Sequence, residues 1–326
     1  MIKKDINQLK DTLNSGDSQG KVEAAIQLLQ KANTNIEDQI IKTAFEILIS
    51  NLQDKKVEEN VRSLASQQDN DWRVIILMSA FLRYRGEQNQ SEGLLKSAFE
   101  KLNNNIDSLF SFLLKDWQLY TTWNIIAWFF IGLHLLNTKF LEIAEECCDK
   151  ALEINKNTSE SYYFKGMIYS IKTQYLIVKN KKAKNENGTS PISRIIEEFF
   201  VNKKLTGDLL LFDDYNQILK QYYEKAKNFY DKAVSIEPNN LKYLKSKSYL
   251  YIVIYQDTKD KKDILSAKEY IEKCIEIDPN DSESWFILSE LKTILGNDKE
   301  AKQSYKKALE LNPEIIEKMN RKIKIV

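Results

Sequence analysis

A chain of 326 residues with 43% hydrophobic and 29% charged side chains can bury a sizeable core, which argues against disorder as its main state. Nine glycines and four prolines are too few for the turns of an all-β fold or for linker-rich modules. Basic and acidic residues nearly cancel (48 against 47) and there is one histidine, so neither a global field for nucleic acid or anionic lipid nor His-based metal or catalytic chemistry is expected.

From the first residues the pattern is helical. Met1 to Asp5 turns charged at once, without the apolar stretch of a secretory leader. Ile26, Leu29 and Ala32 form one face, and Ile41, Phe45 and Ile49 another, at spacings of three and four. Polar breaks near 14–20, 33–35, 53–55, 67–71, 86–90 and 103–105 divide the first third into helices of the length that packs as antiparallel neighbours. Gln118 to Leu136 carries no charge apart from His134 and is about long enough to cross a bilayer. Thr121, Thr122 and Asn124 interrupt it, and a buried helix is predicted, with His134 as a hydrogen-bonded packing residue. Cys147, Cys148 and Cys274 show no disulfide or metal spacing. They read as small buried hydrophobes in a reducing compartment.

An internal repeat organises the second half. A small residue recurs seven positions apart at Ala144/Ala151, Ala226/Ala233, Ala267/Cys274 and Ala301/Ala308. Between each pair stands Cys148, Tyr230, Ile271 or Tyr305. Pro238, Pro279 and Pro313 each follow the second small residue by five, with Lys156 at that place in the first copy. Small residues at this spacing let a second helix approach closely, and the proline ends the helix and sets the turn. The matching first helices carry Trp128, Ile131, Gly132 and Leu135; Tyr162, Gly166 and Tyr169; and Trp285, Leu288 and Ser289, with Gly296 at the turn. A mid-helix glycine costs up to about 1 kcal/mol against alanine, so Gly132 and Gly166 are expected to admit a close neighbour.

These residues resemble the tetratricopeptide repeat family. The best copy is 282–315, with Trp285, Leu288, Ser289, Gly296, Ala301, Tyr305, Ala308 and Pro313 in phase; others are 125–158, 159–240 and 241–281. A weaker copy, 72–105, has Ser79, Leu82, Gly86, Ser91, Leu95 and Ala98 in phase. Lys165, Lys247 and Lys292 stand where the family pattern is apolar or aromatic, so looser packing or snorkelling lysine stems are expected. The expected fold is all-α, a helix-turn-helix repeat solenoid (a TPR superhelix) with an inserted helical segment. Its expected parts are a degenerate helical region over 1–71, an array over 72–315 with the insertion at about 176–214, and a capping helix and tail over 316–326.

Within the insertion, Ser190 and Pro191 start a helix whose apolar stripe is Ile192, Ile195, Ile196, Phe199 and Phe200. Helix 191–203 must dock, either as a plug on the inner face of the array or on its outer wall.

No phosphate loop, dinucleotide fingerprint, nucleophile elbow or zinc-protease motif occurs, so no catalytic residue, cofactor or metal is assigned. The resemblance implies a concave face lined by the first helix of each copy. On the present numbering that face includes Phe129, Leu133, Tyr163, Met167, Lys245, Tyr249, Phe286 and Glu290, with Glu283 and Ile252 beside them. The family's carboxylate clamp would need a lysine and an asparagine at the fifth and ninth positions; only Lys245 conforms, so that clamp is not expected. The implied function is a non-catalytic adaptor binding a peptide or amphipathic helix in an apolar groove. The alternative is a regulator that senses a peptide or small ligand. The chain is expected to be cytoplasmic, monomeric or weakly self-associating, without nucleic acid as a partner and without a membrane span.

Overall fold

The computed structural model describes residues 6–32, 36–65, 71–102, 105–134, 138–183 and 215–316. Among these are fifteen α-helices and no strand. The insertion helix expected at 191–203 and the tail beyond Ile316 lie outside the described residues. The chain divides into two compact units, 1–156 and 157–326.

The first unit holds α1 (Ile6–Ser15), α2 (Ser18–Gln30), α3 (Asp38–Ser50), α4 (Lys55–Ala65), α5 (Trp72–Tyr84), α6 (Gln88–Lys101), α7 (Ile106–Leu113), α8 (Tyr120–Leu133) and α9 (Phe140–Ile154). Pairs α5/α6 and α8/α9 are helix hairpins, and α8 packs on α5. In the first hairpin the expected small residues meet: Ser79 Oγ donates to Ser91 O, and Ser91 Oγ to Ser79 O, both at 2.8 Å. Gly86 makes the turn at φ +86°, a conformation that favours glycine. The apolar stretch from Gln118 condenses into a 14-residue α8 whose Trp123, Ile125, Ile126, Phe129 and Phe130 are at most 3% exposed. No described helix is long and apolar enough to cross a membrane.

Two polar clusters hold this unit together. Arg73, at the start of α5, forks onto Asp71, with Nε to Oδ1 at 3.0 Å and Nη2 to Oδ2 at 2.9 Å. Its Nη1 reaches Ile36 O and Asp38 Oδ1, both at 2.6 Å. On α3, Lys42 Nζ donates to Lys115 O (2.7 Å), and Glu46 Oε1 accepts from the backbone of Gln118 (2.8 Å) and Leu119 (2.9 Å). Glu46 therefore satisfies N–H groups at the entrance to α8, which that helix cannot satisfy itself.

The second unit is three successive hairpins: α10 (Ser159–Ala183) with α11 (Tyr215–Ile236), α12 (Leu241–Thr258) with α13 (Lys261–Ile277), and α14 (Ser282–Ile294) with α15 (Asp298–Leu311). The repeat register reappears as the core. Ala226, Ala233, Ala267, Ile271, Cys274 and Ala308 are 0% exposed, and Tyr230 is 2% exposed. Gly296 turns α14 into α15 at φ +81°. The misfit lysines are held at their tips while their stems are buried. Lys247, 3% exposed, pairs with Asp231 and lies 4.4 Å over the Tyr270 ring. Lys165 lies 4.9 Å over Phe229, and Lys292 reaches Glu300 at 3.3 Å.

Gly166 is the tightest of these contacts in the second unit. A Cβ added there would sit 2.6 Å from the Tyr230 ring, which is itself pinned 6.1 Å from Tyr163. Gly166→Ala should cost about 1–3 kcal/mol as overpacking, although alanine is the better helix former. A urea midpoint unchanged or raised in that variant would contradict the close approach.

All three thiols are free and buried. Burial pushes the Cys147 thiol far up and that of Cys274 up to about 11, so neither forms the reactive thiolate near neutrality. Folded protein should therefore be inert to a thiol reagent such as Ellman's, with three thiols appearing only in denaturant. Rapid reaction of one thiol in the native state would show a surface or a fluctuation that this packing does not contain.

Candidate inner face of the second unit

The first helices of the three hairpins, α10, α12 and α14, are tied side by side by their own side chains. Tyr163 of α10 stacks on Tyr243 of α12 with ring centroids 4.8 Å apart. Ser246 Oγ donates to Tyr163 OH at 3.3 Å, and Lys242 Nζ lies 4.6 Å from the Tyr163 ring centroid. Between α12 and α14 the tie is ionic. Lys245 Nζ reaches Asp281 Oδ2 at 3.1 Å and Glu283 Oε2 at 2.8 Å. Asp281 immediately precedes α14, and its carboxylate also accepts from Ser284 Oγ at 2.6 Å.

This cluster is charged. Burial alone would lower the Lys245 ammonium, but Glu283 and Asp281 beside it hold it above its ordinary value. Burial alone would raise the Asp281 carboxyl, but the Ser284 hydroxyl and Lys245 hold it below the ordinary range. Two carboxylates thus occupy the one lysine that stood at a clamp position.

Six of the eight residues expected on the face belong to the second unit. Tyr163 is 4% exposed. Met167, Lys245, Tyr249 and Phe286 are half-buried, and Glu290 is exposed. Phe129 and Leu133 belong to the first unit, where they are 0% and 6% exposed and offer no surface. Lys242 and Ile294, at the second and thirteenth positions of their copies, are exposed as well. Asp281 lies before its helix begins, and no helical position marks it.

Lys242 and Glu290 are both open to water. Yet burial lowers the Lys242 ammonium against the pull of Glu160, and raises the Glu290 carboxyl. The Tyr249 phenol is pushed far up by burial, and further by Glu283 and Asp281. No group of carboxylate, thiol or imidazole side chains among the described residues could hold a metal. What the face offers is apolar and aromatic surface edged by carboxylates.

An all-helical array of successive hairpins with small residues at the crossings is a helical-repeat protein. The tetratricopeptide repeat family profile matches residues 217–240, 259–281 and 282–315. The last of these is the best copy read from the sequence, and the first two are the second-helix portions of copies 159–240 and 241–281. These matched segments of the second unit are tetratricopeptide repeats. No curated protein matches it in sequence. Similar solved structures include a tetratricopeptide repeat protein from Parabacteroides merdae (12% identical over 98% of this chain and 97% of that one, TM-score 0.40). The human IFIT1 dimer with PPP-AAAA is 14% identical over 94% and 77%, with a TM-score of 0.25. YrrB, a TPR protein with an unusual peptide-binding site, is 15% identical over 67% and 97%, with a TM-score of 0.26. At these scores none of them bears on what this chain binds.

Proposed function

We propose that the chain is a non-catalytic protein-interaction adaptor that takes a peptide or amphipathic helix on the inner face of its second unit. The observation that carries this reading is the row Met167, Tyr249 and Phe286. These three partly accessible apolar side chains come from three successive first helices, in a setting where burial perturbs the charged neighbours. Aromatic anchors in such a setting dominate binding energies when they are covered. The quenched Lys245 directs the face away from chain-terminal carboxylates and toward side-chain recognition.

The reading is tested on the protein partner recovered by crosslinking from the source cells. Tyr249→Ala should weaken its binding roughly tenfold or more, the scale of an aromatic hot spot, without moving the melting temperature by more than a few degrees. Full affinity in a folded Tyr249→Ala protein would remove this face from the interaction.

A further inference from the structure

Arg83, in the last turn of α5, is 8% exposed, and an arginine is rarely buried unless it is paired. The other described arginines each meet a carboxylate: Arg62 meets Glu58 and Glu87, Arg73 meets Asp71 and Asp38, and Arg85 meets Glu58. Arg83 meets none among the described residues. Glu92 acts on it at a distance, without a hydrogen bond. Lys42 is also buried on a backbone acceptor, but a lysine can shed its proton and an arginine cannot. The placement of Arg83 is fixed. Its carbonyl accepts from Trp128 Nε1 at 3.0 Å, and its Nη2 donates to Gly132 O at 2.8 Å. The guanidinium lies against Gly132, where an added Cβ would come within 1.8 Å of Nε.

Gly132 lies in the last turn of α8, and a helix C-terminus carries a partial charge of about −0.5. That offsets roughly half of the guanidinium. Nε and Nη1 donate to no described residue, and neither is sealed from water. Gly132 O takes one of the two Nη2 hydrogens, so one two-donor edge stays open, Nη1 with Nη2 or Nε with Nη2. Such an edge matches the paired oxygens of a carboxylate or phosphate. We propose that Arg83 is the centre of a binding site for a compact oxyanion, a carboxylate or phosphate group, which completes the neutralisation that α8 begins. The site lies in the first unit and uses no residue of the face assigned to the adaptor. The single histidine reports on it. His134 directly follows α8, and the Arg83 charge adds to the lowering of its pKa by burial. An anion on Arg83 cancels that contribution, so anion binding and protonation of His134 favour one another.

NMR on the full chain tests this with sodium acetate and sodium phosphate as probes, each against sodium chloride at equal ionic strength. At neutral pH the His134 ring proton and the Arg83 Nε–H should shift along one saturating curve with acetate, with phosphate or with both, while chloride gives no saturation. The probe that saturates at the lower concentration assigns the site to carboxylate or to phosphate. In saturating phosphate the folded-state midpoint of His134 should rise by about one pH unit, tenfold in proton affinity. Arg83→Met should abolish the saturable response. Arg83→Lys should keep it at higher probe concentration, because a lysine has no two-donor edge. Arg85→Met, at an exposed pair, should leave it unchanged. If Arg83→Met does not fold, the wild-type curves decide alone. Shifts that are linear and alike in all three salts would overturn the site and show that α8 and water suffice for Arg83. Saturation that persists in folded Arg83→Met, or a His134 midpoint unmoved at saturation, would place the anion elsewhere and overturn it equally.

Discussion

Arg73→Ala should destabilise the first unit by about 3–5 kcal/mol, the range for breaking a buried ion pair by removing one partner. The side chain of Asp71 is 0% exposed, so the substitution strands a carboxylate away from water. It also leaves Ile36 O and Asp38 without the guanidinium that now binds both. Burial alone would depress the Arg73 guanidinium, but Asp71 and Asp38 more than offset it, so the charge is held by its partners. Arg73→Lys should recover only part of the loss, because a lysine has no planar fork to match both Asp71 oxygens. Asp71 also caps α5 by accepting from Arg73 N at 2.8 Å, and asparagine can keep that cap. The double variant Arg73→Met with Asp71→Asn should therefore lose less than Arg73→Met alone, a coupling that a double-mutant cycle reads directly. Four of the five tryptophans, at 72, 117, 123 and 128, lie in the first unit. Their fluorescence during urea unfolding follows that unit. A loss below about 1 kcal/mol, the value of an exposed pair, would mean that the cluster is solvated.

That cluster was invisible in the sequence, and the reason is distance along the chain. Asp38 and Ile36 lie 35 and 37 residues from Arg73, with two breaks and the helices α3 and α4 between. No local period links them, and the same holds for Glu46 at the entrance to α8. The hairpins were legible because their signals are local and sterically demanding. A small residue at a helix crossing, a glycine at φ +86° or +81° and a proline past a helix end each leave little choice of residue.

The inner face was legible in its positions and not in its exposure. Phe129 and Leu133 occupy the positions that the resemblance assigns to the face. However, Gly132 brings α8 so close to α5 that an added Cβ would lie 1.8 Å from Arg83 Nε, and Arg83 Nη2 donates to Gly132 O at 2.8 Å. At such an approach the neighbouring side chains become core. Lys245 shows the converse. Its position was right for a clamp, but its charge is decided by Asp281, which precedes the next first helix, and by Glu283 just inside it. A periodicity locates side chains on one helix; what neutralises them comes from the next.

Stability should fall by about 3 kcal/mol as the pH drops from above 6.5 to 4, through one residue. His134 is the chain's single histidine; it follows α8 directly and is 3% exposed, with Nδ1 2.5 Å from Ile131 O. Burial lowers its pKa from 6.5 to about 4. The Ile131 carbonyl opposes that change, and the Arg83 guanidinium adds to it. The sign follows from proton counting. Between 6.5 and 4 the unfolded chain holds a proton on His134 that the folded chain does not, so acid favours unfolding. The contribution is fully present above 6.5 and is lost as the pH falls toward 4, at about 1.4 kcal/mol for each pH unit crossed. Carboxylates titrate in the same window, so the decisive quantity is a difference. Urea midpoints of the wild type and His134→Asn, taken at pH 7 and pH 4.5, should converge in acid by about 2–3 kcal/mol, whatever the variant does to stability at neutrality. The lone imidazole also gives one proton resonance to follow by NMR. It should remain neutral through pH 5 in the folded protein and titrate near 4. A midpoint near 6.5 in the folded state would place His134 in water, and the loss of stability in acid would then have to come from carboxylates alone.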